Sequence, residues 1–144
     1  MTDMEQGLSF AELDLEGDDR FQRLRADLGV STFGLNLLRL RPGQGSRIHR
    51  HERQEEVYLV LDGVLTLQVE DETHELAKGR LVRVPPGARR QLSNRRPEPL
   101  HVLALGGAEP HEGRDGRAYE SWEETGEGRP PQDVPLPGDL PVQR

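Results

Sequence analysis

An all-β fold, a sandwich or barrel of short antiparallel strands, is predicted by three observations. Short apolar runs follow one another from about residue 31 to residue 106. Turn signals separate them: Pro42-Gly43, Asp62-Gly63, Asp71-Glu72, Lys78-Gly79 and Pro85-Pro86-Gly87. Within one run Leu65, Leu67 and Val69 alternate with Thr66, Gln68 and Glu70, the period of a strand that buries one face.

Each element follows from these signals in order. Residues 1–30 form a polar N-terminal arm, in which Leu8, Phe10, Leu13 and Leu15 suit an edge strand or a packing arm. Arg20 to Leu28 fits a helical stripe through Phe21, Leu24 and Leu28, and also a strand; Gly29 ends it either way. Thr32 to Arg41 is a strand that stops at Pro42-Gly43. Ser46 to His51 is a short strand, and Glu56 to Leu61 is its apolar successor. Asp62-Gly63 is the strongest hairpin signal in the chain. Val64 to Glu70 and Thr73 to Ala77 pair across the acidic turn. Leu81 to Val84 leads into the prolines, Arg90 to Asn94 is a short strand, and Leu100 to Leu105 is the last strong one. The barrel thus occupies residues 31–106. Residues 107–144 are a polar Pro/Gly-rich extension whose composition is that of a linker or flexible tail. Tyr119 and Trp122, the only tryptophan, are the exceptions there and are expected to dock on the barrel or on a partner subunit.

Composition narrows the function classes. The 144 residues amount to one domain. Hydrophobic residues make up 33% and the mean hydropathy is −0.77, so a modest core carries solvated extensions. No apolar run approaches the length of a membrane span. Met1 to Gln6 lacks the basic and apolar regions of a signal peptide, which predicts a cytoplasmic protein. A net charge of −7 argues against a general nucleic-acid binder. With no cysteine there is neither a thiolate nucleophile nor a Cys-ligated zinc, so any metal site is built from nitrogen and oxygen. No phosphate-cradling glycine loop and no helix-turn-helix pattern are present.

The residues that imply chemistry are His49, His51 and Glu56. On a strand, i and i+2 share a face, so the two imidazoles project together and Arg50 lies opposite. Two imidazoles and a carboxylate suit a borderline divalent metal with open positions. The spacing is Gly43, five residues, His49, one, His51, four, Glu56, six, Gly63. A second motif reads Gly79, five residues, Pro85-Pro86-Gly87, two residues, Arg90, three residues, Asn94. Together these closely resemble the two motifs of the cupin superfamily, over about a third of the chain. The resemblance implies a double-stranded β-helix, a small jelly-roll barrel that binds ligands inside, and association as a homodimer. It also implies a metal held by His49, His51 and Glu56. It departs at one position: metal-binding cupins supply a further histidine from the second motif, where this chain has Arg90. A guanidinium has no lone pair to offer a metal.

Several roles remain open on the sequence. The metal, if bound, is iron, manganese, nickel or zinc. Glu56 is selected over Glu55 by the gap to Gly63. Arg90 either pairs with Glu56 in place of a metal, anchors an anionic ligand, or turns to solvent. Tyr58 shares the face of Glu56 and either donates to a ligand or lines the barrel. His101 reaches the site if His101, Leu103 and Leu105 face inward, and misses it if Leu100, Val102 and Ala104 do. The bland reading of Arg89, Arg95 and Arg96 is solvated loop charge; His111 has no visible partner. Two functions compete, with a mainly structural protein whose barrel dimerises through its outer sheet as a third reading. One is a metal-dependent dioxygenase or isomerase-type enzyme acting on an anionic small molecule. The other is a metal-free binding module for an anionic metabolite or sugar, in which Arg90 neutralises Glu56; direct contact between those two residues favours it.

Overall fold

Alternating side chains sort apolar groups to one face of each strand, and two sheets close over them. The computed structural model describes residues 7–109 and 114–143. In chain order the elements are β1 (Phe21–Gln22), helix α1 (Leu24–Leu28), β2 (Gly34–Leu40), β3 (Ile48–His51), β4 (Glu55–Asp62), β5 (Val64–Val69), β6 (Glu72–Ala77), β7 (Leu81–Val84), β8 (Arg90–Ser93), β9 (Leu100–Gly107) and β10 (Gly116–Tyr119). One sheet runs β1-β2-β9-β4-β7 and the other β10-β3-β8-β5-β6. Their neighbouring strands are antiparallel. This is the all-β sandwich or barrel that the strand pattern predicts, in the jelly-roll form that the resemblance implies.

The core between the sheets is formed by Leu38, Leu40, Tyr58, Val60, Leu65, Leu67, Leu76, Val84, Leu92, Leu100 and Val102. Their spacing is the period of two along each strand, so the same alternation that buries them fixes which polar residues also point inward. Gly63 closes the β4–β5 hairpin at φ +84°, and a Cβ there would lie 2.4 Å from the Pro99 carbonyl oxygen. Asn94 is fully buried; its amide donates to the carbonyls of Leu40 (3.0 Å) and Glu98 (2.7 Å), tying the end of β8 to β2 and to the following loop. Gly63 of the first motif and Asn94 of the second therefore hold the scaffold.

The ends pack differently from the simplest reading of their composition. Leu8 to Leu15 form no strand and stay exposed, Leu8 at 82% and Phe10 at 84%. Arg39 fastens this arm, donating to the carbonyls of Asp14, Asp19 and Phe21. Arg20 to Leu28 is both things at once: a two-residue strand, then one helical turn stopped by Gly29 in the left-handed conformation. Beyond Gly107, β10 pairs along the whole of β3. Val134 is buried, and its carbonyl accepts from Arg47 Nε at 2.6 Å. Leu140 N–H donates to the Gly43 carbonyl at 2.7 Å. Arg89 is not a solvated charge: it pairs with Glu70 (3.0 Å) and lies over the rings of Tyr119 and Trp122. Arg96 pairs with Glu75 at 3.1 Å. Among the described residues no helix is long and apolar enough to cross a membrane.

Candidate metal centre

Strand β3 presents His49 and His51 on its inner face, and β4, from the opposite sheet, presents Glu56 toward them. His49 Nε2 lies 3.8 Å from Glu56 Oε1 and His51 Nε2 lies 3.4 Å from Glu56 Oε2. One donor atom from each residue falls within 4.8 Å of the others, and the rings meet edge to face at 5.5 Å. Glu55 points outward to Arg83 at 2.6 Å, so the register that selects Glu56 is the one found. A cavity of about 200 Å³ opens onto the three residues, with Asn36, Leu38, Leu92 and Ala104 in its wall.

The tautomer of each imidazole follows from its other nitrogen. His49 Nδ1 lies 3.0 Å from the Arg47 carbonyl oxygen, and His51 Nδ1 lies 2.8 Å from Asp115 Oδ1. A carbonyl and an ionised carboxylate only accept, so Nδ1 donates in both rings and each neutral ring carries its lone pair on Nε2. Both lone pairs then face a carboxylate, a repulsive set that either a proton or a cation relieves. This is the arrangement that outer partners impose on metal-ligating histidines.

Burial pulls the His49 imidazole below its ordinary value, since the charged form would lose water that Glu56 does not fully replace. His51 experiences the same burial, but Glu56 and Asp115 on either side outweigh it and raise its pKa. Burial alone would push the Glu56 carboxyl up; the facing imidazoles reverse this and hold it well below the usual carboxylate range. Tyr58 is pushed well above the ordinary phenol by burial and by the Glu56 charge, so it remains a hydrogen-bond donor.

Arg90 has no exposed surface and does not reach solvent. Its Nη2 donates to Glu56 Oε1 at 2.8 Å, its Nε to Tyr58 Oη at 3.0 Å and its Nη1 to the Ala88 carbonyl at 2.7 Å. Tyr58 in turn donates to Glu56 Oε1 at 2.5 Å. Both therefore grip one oxygen of Glu56, and Oε2 is left turned toward His51. Of the roles open to Arg90, the structure shows pairing with Glu56, and Tyr58 donates to the same carboxylate.

His101 does not join the site. Leu100 and Val102 enter the core, so alternation turns His101 to the outer face of β9, where Nε2 contacts the Leu15 carbonyl at 3.0 Å. It packs beneath the N-terminal arm. Asn36 occupies the inward position that alternation gives it two residues before Leu38. His111 lies outside the described residues.

Two contributors escape sequence reasoning. Asp115 is 64 residues from His51 in a polar stretch with no local motif. It also accepts from the backbone N–H groups of Arg53 (2.8 Å) and Gln54 (2.9 Å) and from Gln54 Nε2 (2.7 Å). These bonds outweigh its burial and lower its pKa. Gly106 pairs with Glu56 across the β4–β9 ladder, and a Cβ there would sit 2.7 Å from Gln54 Oε1 and 3.3 Å from Glu56 Oε2. No signal distinguishes it in the sequence from Gly107.

Comparison with known proteins agrees with this geometry. Residues 36–106 match the family model described as a cupin domain. No protein of curated function matches the sequence. A sugar phosphate isomerase from a cupin superfamily of Silicibacter pomeroyi is 30% identical, with 70% of this chain and 65% of that one covered and a TM-score of 0.61. A protein from Acidithiobacillus ferrooxidans, provisionally named a sugar phosphate isomerase, is 32% identical over 60% of this chain and 56% of that one, at TM-score 0.56. A cupin 2 conserved barrel domain protein from Salinispora arenicola is 25% identical over 71% and 90% of the two chains, at TM-score 0.60. This chain spans less than two thirds of the length of the first two.

Proposed function

The chain belongs to the cupin superfamily, and from that premise we propose that it is a metal-dependent enzyme of the isomerase type acting on an anionic small molecule. The observation that carries this is the set of lone pairs on His49 Nε2, His51 Nε2 and Glu56 Oε2, turned toward one another by partners that hold each group from behind. Such a nitrogen and oxygen set fits iron, manganese, nickel or zinc. When bound, the cation supplies Lewis acidity to a substrate carbonyl.

The chain's own residues do the remaining work. Arg90 and Tyr58 fix Glu56 through Oε1 and leave Oε2 available. Asp115 and the Arg47 carbonyl hold the imidazoles in the ligating tautomer. Leu38, Leu92 and Ala104 line one side of the site with apolar surface, beside which charge interactions are stronger than in bulk water. Isomerisation is favoured over dioxygen chemistry by the activity named for the two relatives at 30% and 32% identity.

A second reading has its own support. The 2.8 Å contact between Arg90 and Glu56 already neutralises the carboxylate, as in a metal-free binding module for an anionic metabolite. A proton on His51 would then complete the site. Elemental analysis of the purified protein, beside His49→Ala and Glu56→Ala variants, separates the two. Near-stoichiometric metal that both variants lose supports the enzyme. No metal, even after incubation with iron, manganese, nickel and zinc, overturns it in favour of the binding module. With metal established, solvent deuterium entering a sugar phosphate identifies an isomerase, whereas oxygen consumption identifies a dioxygenase. We also propose a homodimer in solution; exposed Leu8 and Phe10 support a covered arm, and a monomer mass by light scattering counts against it.

A further inference from the structure

A cavity of about 490 Å³ touches His51 and Glu56 and extends to Arg23, Arg25 and Arg114. Its volume is that of a small-molecule site. The three arginines come from two places far apart in the sequence: Arg23 caps α1 with a non-helical backbone and Arg25 lies within that helix, while Arg114 immediately precedes Asp115. All three are exposed, and among the described residues none has an ion pair or a side-chain hydrogen bond.

That isolation is unusual in this chain. With 26 acidic residues against 19 basic ones, cations find partners readily. Arg39, Arg41, Arg83, Arg89, Arg96 and Arg117 are each paired with a carboxylate. Only Arg80 among the other described arginines is similarly unpartnered, and it lies away from the cavity. The carboxylate inside the cavity, Glu56, is already matched by Arg90. The cavity therefore has an excess of positive charge at its mouth and a metal-type donor set at its base.

We propose that Arg23, Arg25 and Arg114 form an anion subsite that holds the phosphate of a phosphate monoester while its uncharged end reaches the His49–His51–Glu56 centre. The substrate class rests on the enzyme reading above; the subsite itself does not. A phosphate monoester carries close to two negative charges near neutral pH and three equivalent acceptor oxygens. Guanidinium groups match those oxygens in bidentate fashion, and several together hold a dianion better than a single carboxylate. Asn36 lines the same cavity and offers a neutral donor and acceptor between the charged mouth and the centre, where a hydroxylated carbon chain would lie.

The test is calorimetric titration of the full chain with inorganic phosphate and with succinate, in wild type, in the Arg23→Gln/Arg25→Gln/Arg114→Gln triple variant, and in Arg80→Gln as a control for loss of an unpartnered arginine outside the cavity. Metal content is measured on the same samples. Wild type and Arg80→Gln are expected to bind phosphate more tightly than succinate, and more weakly as salt is added. Each arginine removed weakens binding by roughly tenfold, the loss of about one charge-assisted contact. Metal content and thermal unfolding stay unchanged, because these side chains hold no other group. Equal phosphate affinity in wild type and triple variant overturns the subsite, as does tighter binding of succinate. Arginine-dependent phosphate binding by a protein that takes up no metal keeps the subsite and removes the enzyme reading. Metal uptake without phosphate binding does the reverse.

Discussion

Replacing Asp115 with asparagine removes one charge and no volume, yet it sets two demands of the site against each other. Both oxygens of Asp115 face donors: Oδ1 faces His51 Nδ1 and Gln54 Nε2, and Oδ2 faces the N–H groups of Arg53 and Gln54. An amide has one oxygen and one NH2, so whichever way it turns, its NH2 meets donors. If the NH2 faces the backbone, the buried N–H of Gln54 loses this acceptor, at a cost of about 1–3 kcal/mol, and the part-buried N–H of Arg53 loses it too. The cheaper choice turns it to His51, whose ring must then accept at Nδ1 and carry its proton on Nε2. That proton points at Glu56 and occupies the lone pair that a metal would use. Losing an outer partner of this kind typically weakens metal binding about 10- to 100-fold, equal to about 1.4–2.7 kcal/mol. Isothermal titration with zinc or manganese measures the affinity, and nitrogen-15 chemical shifts of the ring report the tautomer. Unchanged affinity together with an unchanged Nδ1–H tautomer in Asp115→Asn would refute the reasoning.

Other consequences follow from the same geometry. Arg90→Met leaves Glu56 without its charge partner in a buried position and is expected to cost about 3–5 kcal/mol in urea unfolding; a loss below 1 kcal/mol would show that Arg90 does not hold the carboxylate. Gly106→Ala drives a methyl against Gln54 and Glu56, with an expected destabilisation of about 1–3 kcal/mol and loss of metal uptake, whereas Gly107→Ala, with nothing nearer than 3.9 Å, keeps both. Metal affinity is expected to fall with acidification from near neutral pH, because His51, whose pKa is raised, must release a proton to bind, while His49, whose pKa is lowered, is already neutral. Titrations at a series of pH values check this, and an affinity flat through that range would contradict it. Glu56 and Asp115, both held below their ordinary values of 4.5 and 3.8, contribute stability that is complete above about pH 4.5 and is lost as pH falls toward their folded values. Thermal melts between pH 6 and pH 3 follow that loss, and Asp115→Asn should flatten it.

The barrel was legible because its signals are local. The alternation in Val64 to Glu70 and the turn at Asp62-Gly63 state both the strand and its register, and the structure places them there. The triad was legible for the same reason: His49, His51 and Glu56 lie within eight positions, and glycines at either end fix their phase. What stayed hidden depends on distance along the chain. Asp115 meets His51 only because β10 pairs with β3, and Gly116 to Tyr119 is too short and too polar at its start to announce a strand. His101 illustrates the opposite limit. Both faces of β9 are apolar enough to be buried, so alternation left two phases open, and only pairing with β2 and β4 decides between them. Arg90 was readable as an inward residue, but its choice of Glu56 over a ligand is a matter of a few ångströms between two sheets.

The pairing of β10 with β3 also has a meaning in time. A chain grows from its N-terminus, and domains begin to fold as they emerge. His49, His51 and Glu56 are made early, and every strand from β1 to β9 is complete at Gly107. Only when residues 114–119 arrive does Asp115 fix the ring of His51 and β10 cover the open edge of the histidine strand. The nine earlier strands can therefore be in place while the ring of His51 is still unfixed, which makes completion of the site a late event in synthesis.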